Sequence, residues 1–212
     1  MSRLLVIIGC GGFGREVFTL VQALRTEGED WHVEGFVDDA PSDRDLARVR
    51  DLGSQVLGRV TDLGSWASQI HAVVAVGSPV ARIAITERLA DAPVSWPVLV
   101  HPAATVGSRV QFGEGSIIAA GARLSTNIVV GRHVQIDQNV TVGHDCVLHD
   151  YSRLNPQACV SGSVTIGQRS LVGANATILQ GRSIGSDAVV GAGAVVVHNV
   201  TDGAIVKGVP AE

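Results

Sequence analysis

Residues 1–95 alternate short aliphatic runs with helical spacings. Leu4–Ile8, His32–Val37 and Ala72–Val76 read as strands. Val17, Leu20, Val21 and Leu24 recur on one helical face, and Ala81–Leu89 has the same spacing. Such alternation builds a small parallel sheet covered by helices. The stretch SWPVLVHP, residues 95–102, closes this pattern, because two prolines bracket an extended segment. The rhythm then changes. From Val100 to Val196 every sixth residue is apolar, 17 positions in succession. Four residues after each stands Ala, Ser, Cys, Val or Ile, with Arg182 the one exception.

Neither an amphipathic helix nor a flat strand sustains a period of six. A parallel β-helix of hexapeptide repeats does, with one hexad on each side of a triangular coil. Three hexads per coil predict between five and six coils over this stretch. Stacked at about 4.8 Å, they form a narrow prism whose inward residues must be small. Composition agrees: 46% of the chain is apolar, only 4% is aromatic, and there are 25 glycines.

The remaining bulk properties remove function classes. A net charge of -4, with no basic stripe, argues against nucleic acid as a partner. No apolar run reaches the length of a membrane span, and LLVII at residues 4–8 is too short for a secretory segment. Cys10, Cys146 and Cys159 form no CxxC and no even framework, which fits a reducing cytoplasm.

Two places carry candidate chemistry. Gly9, Gly11 and Gly14 make a GxGxxG between a strand and a helix, a turn that lets backbone N–H groups approach phosphate. Asp38, 24 residues after Gly14, is placed to reach a ribose. Read alone this suggests NAD or FAD, but about 95 residues leave little room for a full dinucleotide fold. A purely structural glycine turn is the other reading. The second place is TVGHDC, residues 141–146, where His144 and Asp145 fall between inward-facing Val142 and Cys146. An outward histidine beside a carboxylate suits general base chemistry; a solvated corner histidine is the plain alternative. His144 and His149 also form H-x4-H, but a zinc site needs a third ligand. His133 and His101 lie off their columns, so no metal is expected.

GCGGFG, FVDD, VGHDC and the late GVPA, in this order on a hexad frame, resemble one family. It is the sialic acid O-acetyltransferase and nucleotide-sugar N-acetyltransferase family of hexapeptide acyltransferases. The resemblance implies a Rossmann-like α/β domain over residues 1–95 and a left-handed parallel β-helix over residues 96–212. It implies acetyl-CoA as co-substrate, a nucleotide-linked or sialic-type sugar as acceptor, and a homotrimer with sites between copies. By motif, Gly11, Gly12, Phe13, Asp38, Asp39 and Gly77 bind the acceptor. The resemblance makes His144 the general base and Asp145 its partner. The resemblance places Arg153, Gly162, Ala174, Gly191 and Ala192 at the coenzyme A site, with Gly162 also an oxyanion donor, while Lys207 reads equally as a phosphate contact or a solvated lysine. A proline in GVPA would also stop strand pairing on the exposed edge. Three functional readings remain open: sugar acetylation on N or O, acetylation of another small molecule such as serine, and a non-catalytic nucleotide-sugar-sensing module.

Overall fold

The computed structural model describes residues 3–66 and 69–212. They form two compact units, residues 1–97 and 98–212. In the first unit β1 (Arg3–Ile8) leads into α1 (Gly12–Thr26) and β2 (Trp31–Val37). α2 (Asp43–Asp51), β3 (Val56–Gly58), β4 (Ile70–Val74), α3 (Pro79–Arg88) and β5 (Val94–Ser95) follow. Among the described residues the strands make a five-stranded parallel sheet in the order β3-β2-β1-β4-β5. The helical face expected from Val17, Leu20, Val21 and Leu24 is the buried face of α1. Leu5, Ile7 and Phe36 are fully buried on the same side of the sheet, and Ile8 is buried on the other with Val6, Val37 and Val74. Each such aliphatic side chain contributes about 1.5–3 kcal/mol.

The hydrophobic pattern missed α2 because it buries only Val49. Its ends hold it instead. The Ser42 hydroxyl accepts from the Asp45 N–H at 3.1 Å, Asp43 and Asp45 sit in the first turn, and Arg48 and Arg50 in the last. Those charges oppose the helix dipole at both ends.

The second unit is the left-handed parallel β-helix. Its strands stack into sheets of six, five and seven members, one per face of the prism. Partners lie 18 residues apart, as in Leu124↔Val142↔Val160↔Ile178, so three hexads do make one coil. The last turn is shorter: Val190 pairs with Val206, 16 residues on. Ile136, Leu148, Leu154, Ile166, Val172 and Ile178 fill the interior with Cys146, Ala158 and Ala176 at the narrow positions. Serine is tolerated there because its hydroxyl finds a carbonyl, as Ser116 Oγ donates to Gly131 O at 2.8 Å. After the last coil the chain folds back, with Lys207 and Glu212 exchanging backbone hydrogen bonds of 3.0 and 3.2 Å.

Every hexad turns its corner through a residue with positive φ, at each sixth position from Arg109 to Gly193. Three edges result. The first carries residues 107–109 and their repeats every 18, including 143–145 and 161–163; the second carries 113–115 and its repeats; the third carries 119–121 and its repeats. No helix among the described residues is long and apolar enough to cross a membrane.

Candidate functional site

The β-helix presents His144 on its first edge, half exposed. Its Nδ1 lies 2.6 Å from Asp145 Oδ2. Asp145 occupies the left-handed corner position, φ 60°, a conformation that aspartate accepts more readily than most residues. One coil earlier Asn127 occupies the same position, and its amide donates to Asp145 Oδ1 at 2.5 Å. That hydrogen bond, and then the one from His144, hold the Asp145 carboxyl below its usual range. An ionised carboxylate can only accept, so the shared proton belongs to Nδ1 and the lone pair is left on Nε2.

One coil later Gly162 lies directly against the imidazole. A Cβ built on Gly162 would sit 2.6 Å from both Cε1 and Nε2 of His144. Gly143 clears the other side of this contact, since a Cβ there would come within 2.6 Å of the Gly162 nitrogen. At two corners of the second edge this N–H is taken by a carboxylate: Asp150 accepts from Arg132 N and Asp202 from Ser186 N, both at 2.8 Å. Among the described residues the N–H groups of Gly162, Ala174 and Ala192 donate to no acceptor. A groove of about 350 Å³ lies beside this edge, lined by Thr105, Arg123, Ser125, Thr141 and Gly143.

Within one chain the residues expected at the acetyl donor site do not converge. Gly162 stands with His144 on the first edge, whereas Ala174, Gly191 and Ala192 lie on the third. Arg153 is on the face opposite the first edge, where its guanidinium grips buried Asp137 at 2.8 Å. Cys146, two residues from His144, is buried and donates to Ser161 O at 3.1 Å; burial pushes its thiol pKa up. Among the described residues no three His, Cys, Asp or Glu side chains gather as a metal set. His149 stays on the second edge, and His101 spends Nδ1 accepting the Ala103 N–H at 2.9 Å.

In the first unit the glycines divide their duties. Gly9 holds φ 101°, and a Cβ there would meet Val76 at 2.9 Å and the Ala75 carbonyl at 3.0 Å. A Cβ on Gly14 would lie 1.9 Å from the Gly9 carbonyl oxygen. Both glycines are therefore demanded by packing. Beside Gly11 and Gly12 there is open space, and α1 starts with no side-chain cap and no acid in its first turn. Exposed N–H groups of this kind suit an anion.

Asp38 is more occupied than the sequence suggested. Oδ2 accepts from Cys10 N at 2.9 Å and Oδ1 from Ala40 N at 3.0 Å, so the carboxylate shapes the glycine loop. Asp39 accepts from Val60 N at 3.0 Å and from Arg88 at 2.7 Å, and Arg88 draws its pKa down. Gly77 O accepts from buried Arg82 at 2.9 Å. The Cys10 thiol is pushed up to about 12, first by burial and then by Asp38, so it is no nucleophile. Sequence reasoning missed two residues that brace this loop. Arg15 donates to Cys10 O at 2.9 Å and pairs with Asp45 at 2.8 Å.

The fold unites a hexapeptide β-helix, bearing an outward His–carboxylate pair, with an α/β unit carrying a glycine loop, and its relatives make the protein an acyltransferase. Comparison with known proteins narrows the class. Residues 4–89 match the PglD N-terminal domain, and residues 163–197 match the hexapeptide repeat of succinyl-transferase. GDP-perosamine N-acetyltransferase of Escherichia coli O157:H7 is 32% identical over 177 residues, covering 82% of this chain and 77% of that one. The structure of PerB from Caulobacter crescentus in complex with CoA and GDP-perosamine is 32% identical with a TM-score of 0.84, covering 98% and 95% of the two chains. The acetyltransferase domain of PglB from Neisseria gonorrhoeae FA1090, in complex with acetyl coenzyme A, is 34% identical with a TM-score of 0.86, covering 100% and 99%. The chain belongs to the nucleotide-sugar N-acetyltransferase family.

Proposed function

We propose that the protein transfers acetyl from acetyl-CoA to the amino group of a nucleotide-linked sugar, directly and in a ternary complex. The observation that carries this reading is half-exposed His144, whose Nδ1 is held by Asp145 and whose Nε2 edge lies against Gly162, a residue with an uncommitted N–H. The acceptor amine attacks the thioester carbonyl while Nε2 takes its proton. The new oxyanion receives the Gly162 N–H, and collapse of the tetrahedral species breaks the C–S bond. The imidazolium returns its proton to the departing thiolate, giving amide and free coenzyme A. Relatives named for acetylating GDP-perosamine, and neighbours with CoA or acetyl-CoA bound, support both substrate classes.

The glycine loop of the first unit holds the nucleotide-sugar phosphates at the α1 N-terminus, with Gly11, Gly12 and Phe13 nearest, Asp38, Asp39 and Gly77 framing the loop. Coenzyme A lies along the third edge, against the N–H groups of Ala174 and Ala192 beside Gly191. Since His144 is on a different edge, a complete site takes His144 from one copy and these contacts from a neighbour, as in a homotrimer. Arg153 enters this scheme as the partner of Asp137.

The test follows free thiol release from acetyl-CoA with UDP-, GDP-, dTDP- and CMP-linked amino sugars. Turnover with one nucleotide class is expected, and no release with any of them would sink the reading. The loop makes a sharper expectation. Gly12→Ala meets no protein atom, so its melting temperature stays unchanged while KM for the sugar nucleotide rises about tenfold. Gly14→Ala drives a Cβ into backbone, so it loses about 1–3 kcal/mol of stability in a denaturant melt. Equal effects of the two substitutions would refute this division of labour.

A further inference from the structure

The Asp145 carboxylate has two oxygens and two partners, and they come from different coils. Oδ2 faces His144 Nδ1 at 2.6 Å, and Oδ1 receives the Asn127 amide at 2.5 Å. The two coils are stitched at the same point, because Asp145 N–H donates to Thr126 O at 3.1 Å. Asn127 and Asp145 thus stand one above the other with a fixed separation, both with positive φ, 56° and 60°. We propose that Asn127 is a positioning residue: by holding Asp145 Oδ1 it turns Oδ2 toward His144 and keeps the imidazole in its Nδ1–H tautomer. The inference rests on reading His144 as the base, since only then does a free Nε2 matter.

Physical reasoning separates this role from the plain one. Asparagine is common at left-handed corners for its backbone alone. Asn139 and Asn175 occupy such corners too, at φ 58° and 57°. What distinguishes Asn127 is a donor aimed at an ionised acceptor that itself receives the histidine. Half-exposed Asp145 would otherwise rotate freely about its side-chain bonds, and its carboxylate would spend much of its time on water. A neutral imidazole without a partner at Nδ1 has no fixed tautomer. Whenever the proton moves to Nε2, the base is lost. The amide on the preceding coil removes that freedom without placing a second charge beside the histidine.

The test reads the tautomer directly, with no substrate present. Long-range 1H–15N spectra above the imidazole titration are recorded for wild type, Asn127→Gly and Asn127→Asp. The His144 signals are identified by their loss in His144→Gln. Glycine keeps the left-handed backbone, so the fold survives, and backbone spectra verify it. Aspartate keeps the shape but replaces the donor with an acceptor. Wild type is expected to show protonated Nδ1, and both variants a shift toward protonated Nε2. Asp145→Asn should do the same, with no further change when combined with Asn127→Gly. With an active acceptor in hand, kcat of Asn127→Gly falls about tenfold at unchanged KM for both substrates. A wild-type pattern retained in both Asn127 variants, or protonated Nε2 in wild type, overturns the proposal. Absence of acetyl transfer with the tautomer pattern intact would instead overturn the function and leave the positioning standing.

Discussion

His144→Ala is expected to lower kcat for acetyl transfer by about 10²- to 10⁴-fold, the usual worth of a placed general base. The imidazole is half exposed and packs on the outside of the coil, so the melting temperature should stay near that of wild type. Substrate binding should also persist, because the proposed phosphate and coenzyme A contacts are made by other residues. Thiol release under saturating acetyl-CoA and acceptor measures the first quantity, and a thermal melt the second. Normal turnover in this variant would mean that Nε2 takes no proton, and the mechanism would have to be abandoned. Activity insensitive to EDTA is expected alongside, consistent with a base that works without a metal.

Gly162→Ala is the second large effect. The added methyl would begin 2.6 Å from Nε2 and Cε1, so the ring must swing away from its place. The far end of an exposed side chain moves cheaply, and the coil itself should tolerate the change. The catalytic cost is different in kind, since displacement of a reacting group by about 1 Å costs about 10²-fold. The prediction is a loss of that size in kcat with no loss of stability, and His144 signals shifted in an imidazole NMR spectrum. An alanine variant with full activity would show that Gly162 serves coil packing alone. Gly143 offers an internal comparison, because a methyl there presses on the Gly162 backbone and not on the ring.

The hexad pattern made the β-helix legible because inward positions repeat without interruption, and burial follows that pattern through the middle coils. His144 and Asp145 stood out for the complementary reason: they are polar at positions that the repeat leaves outside. Asn127 did not, although it is 18 residues before Asp145 and on the same edge. Its role depends on two side chains meeting across coils, and a period alone says nothing about which neighbours bond. The pairing of Arg153 with Asp137 was hidden likewise, since the two lie 16 residues apart on adjacent coils. In the first unit, α2 escaped because its stability comes from caps and charges and not from an apolar face. Asp38 was read by its distance from the glycines, but backbone N–H groups of Cys10 and Ala40 occupy both oxygens. Motif spacing locates such a residue; only geometry tells whether it serves the loop or a ligand.

The corners of the β-helix carry a further consequence. Eleven residues other than glycine hold positive φ there, among them Arg109, Tyr151, Gln157 and Arg169. A left-handed backbone costs a residue with a Cβ roughly 1–2 kcal/mol. The chain therefore carries a local debt at its edges that the tightly filled interior offsets. That cost falls on corners of both kinds, those whose side chains face solvent, such as Arg109, and those whose side chains are buried, such as His133 and Tyr151. The corner that presents Asp145 beside His144 is built on the same left-handed backbone as the others.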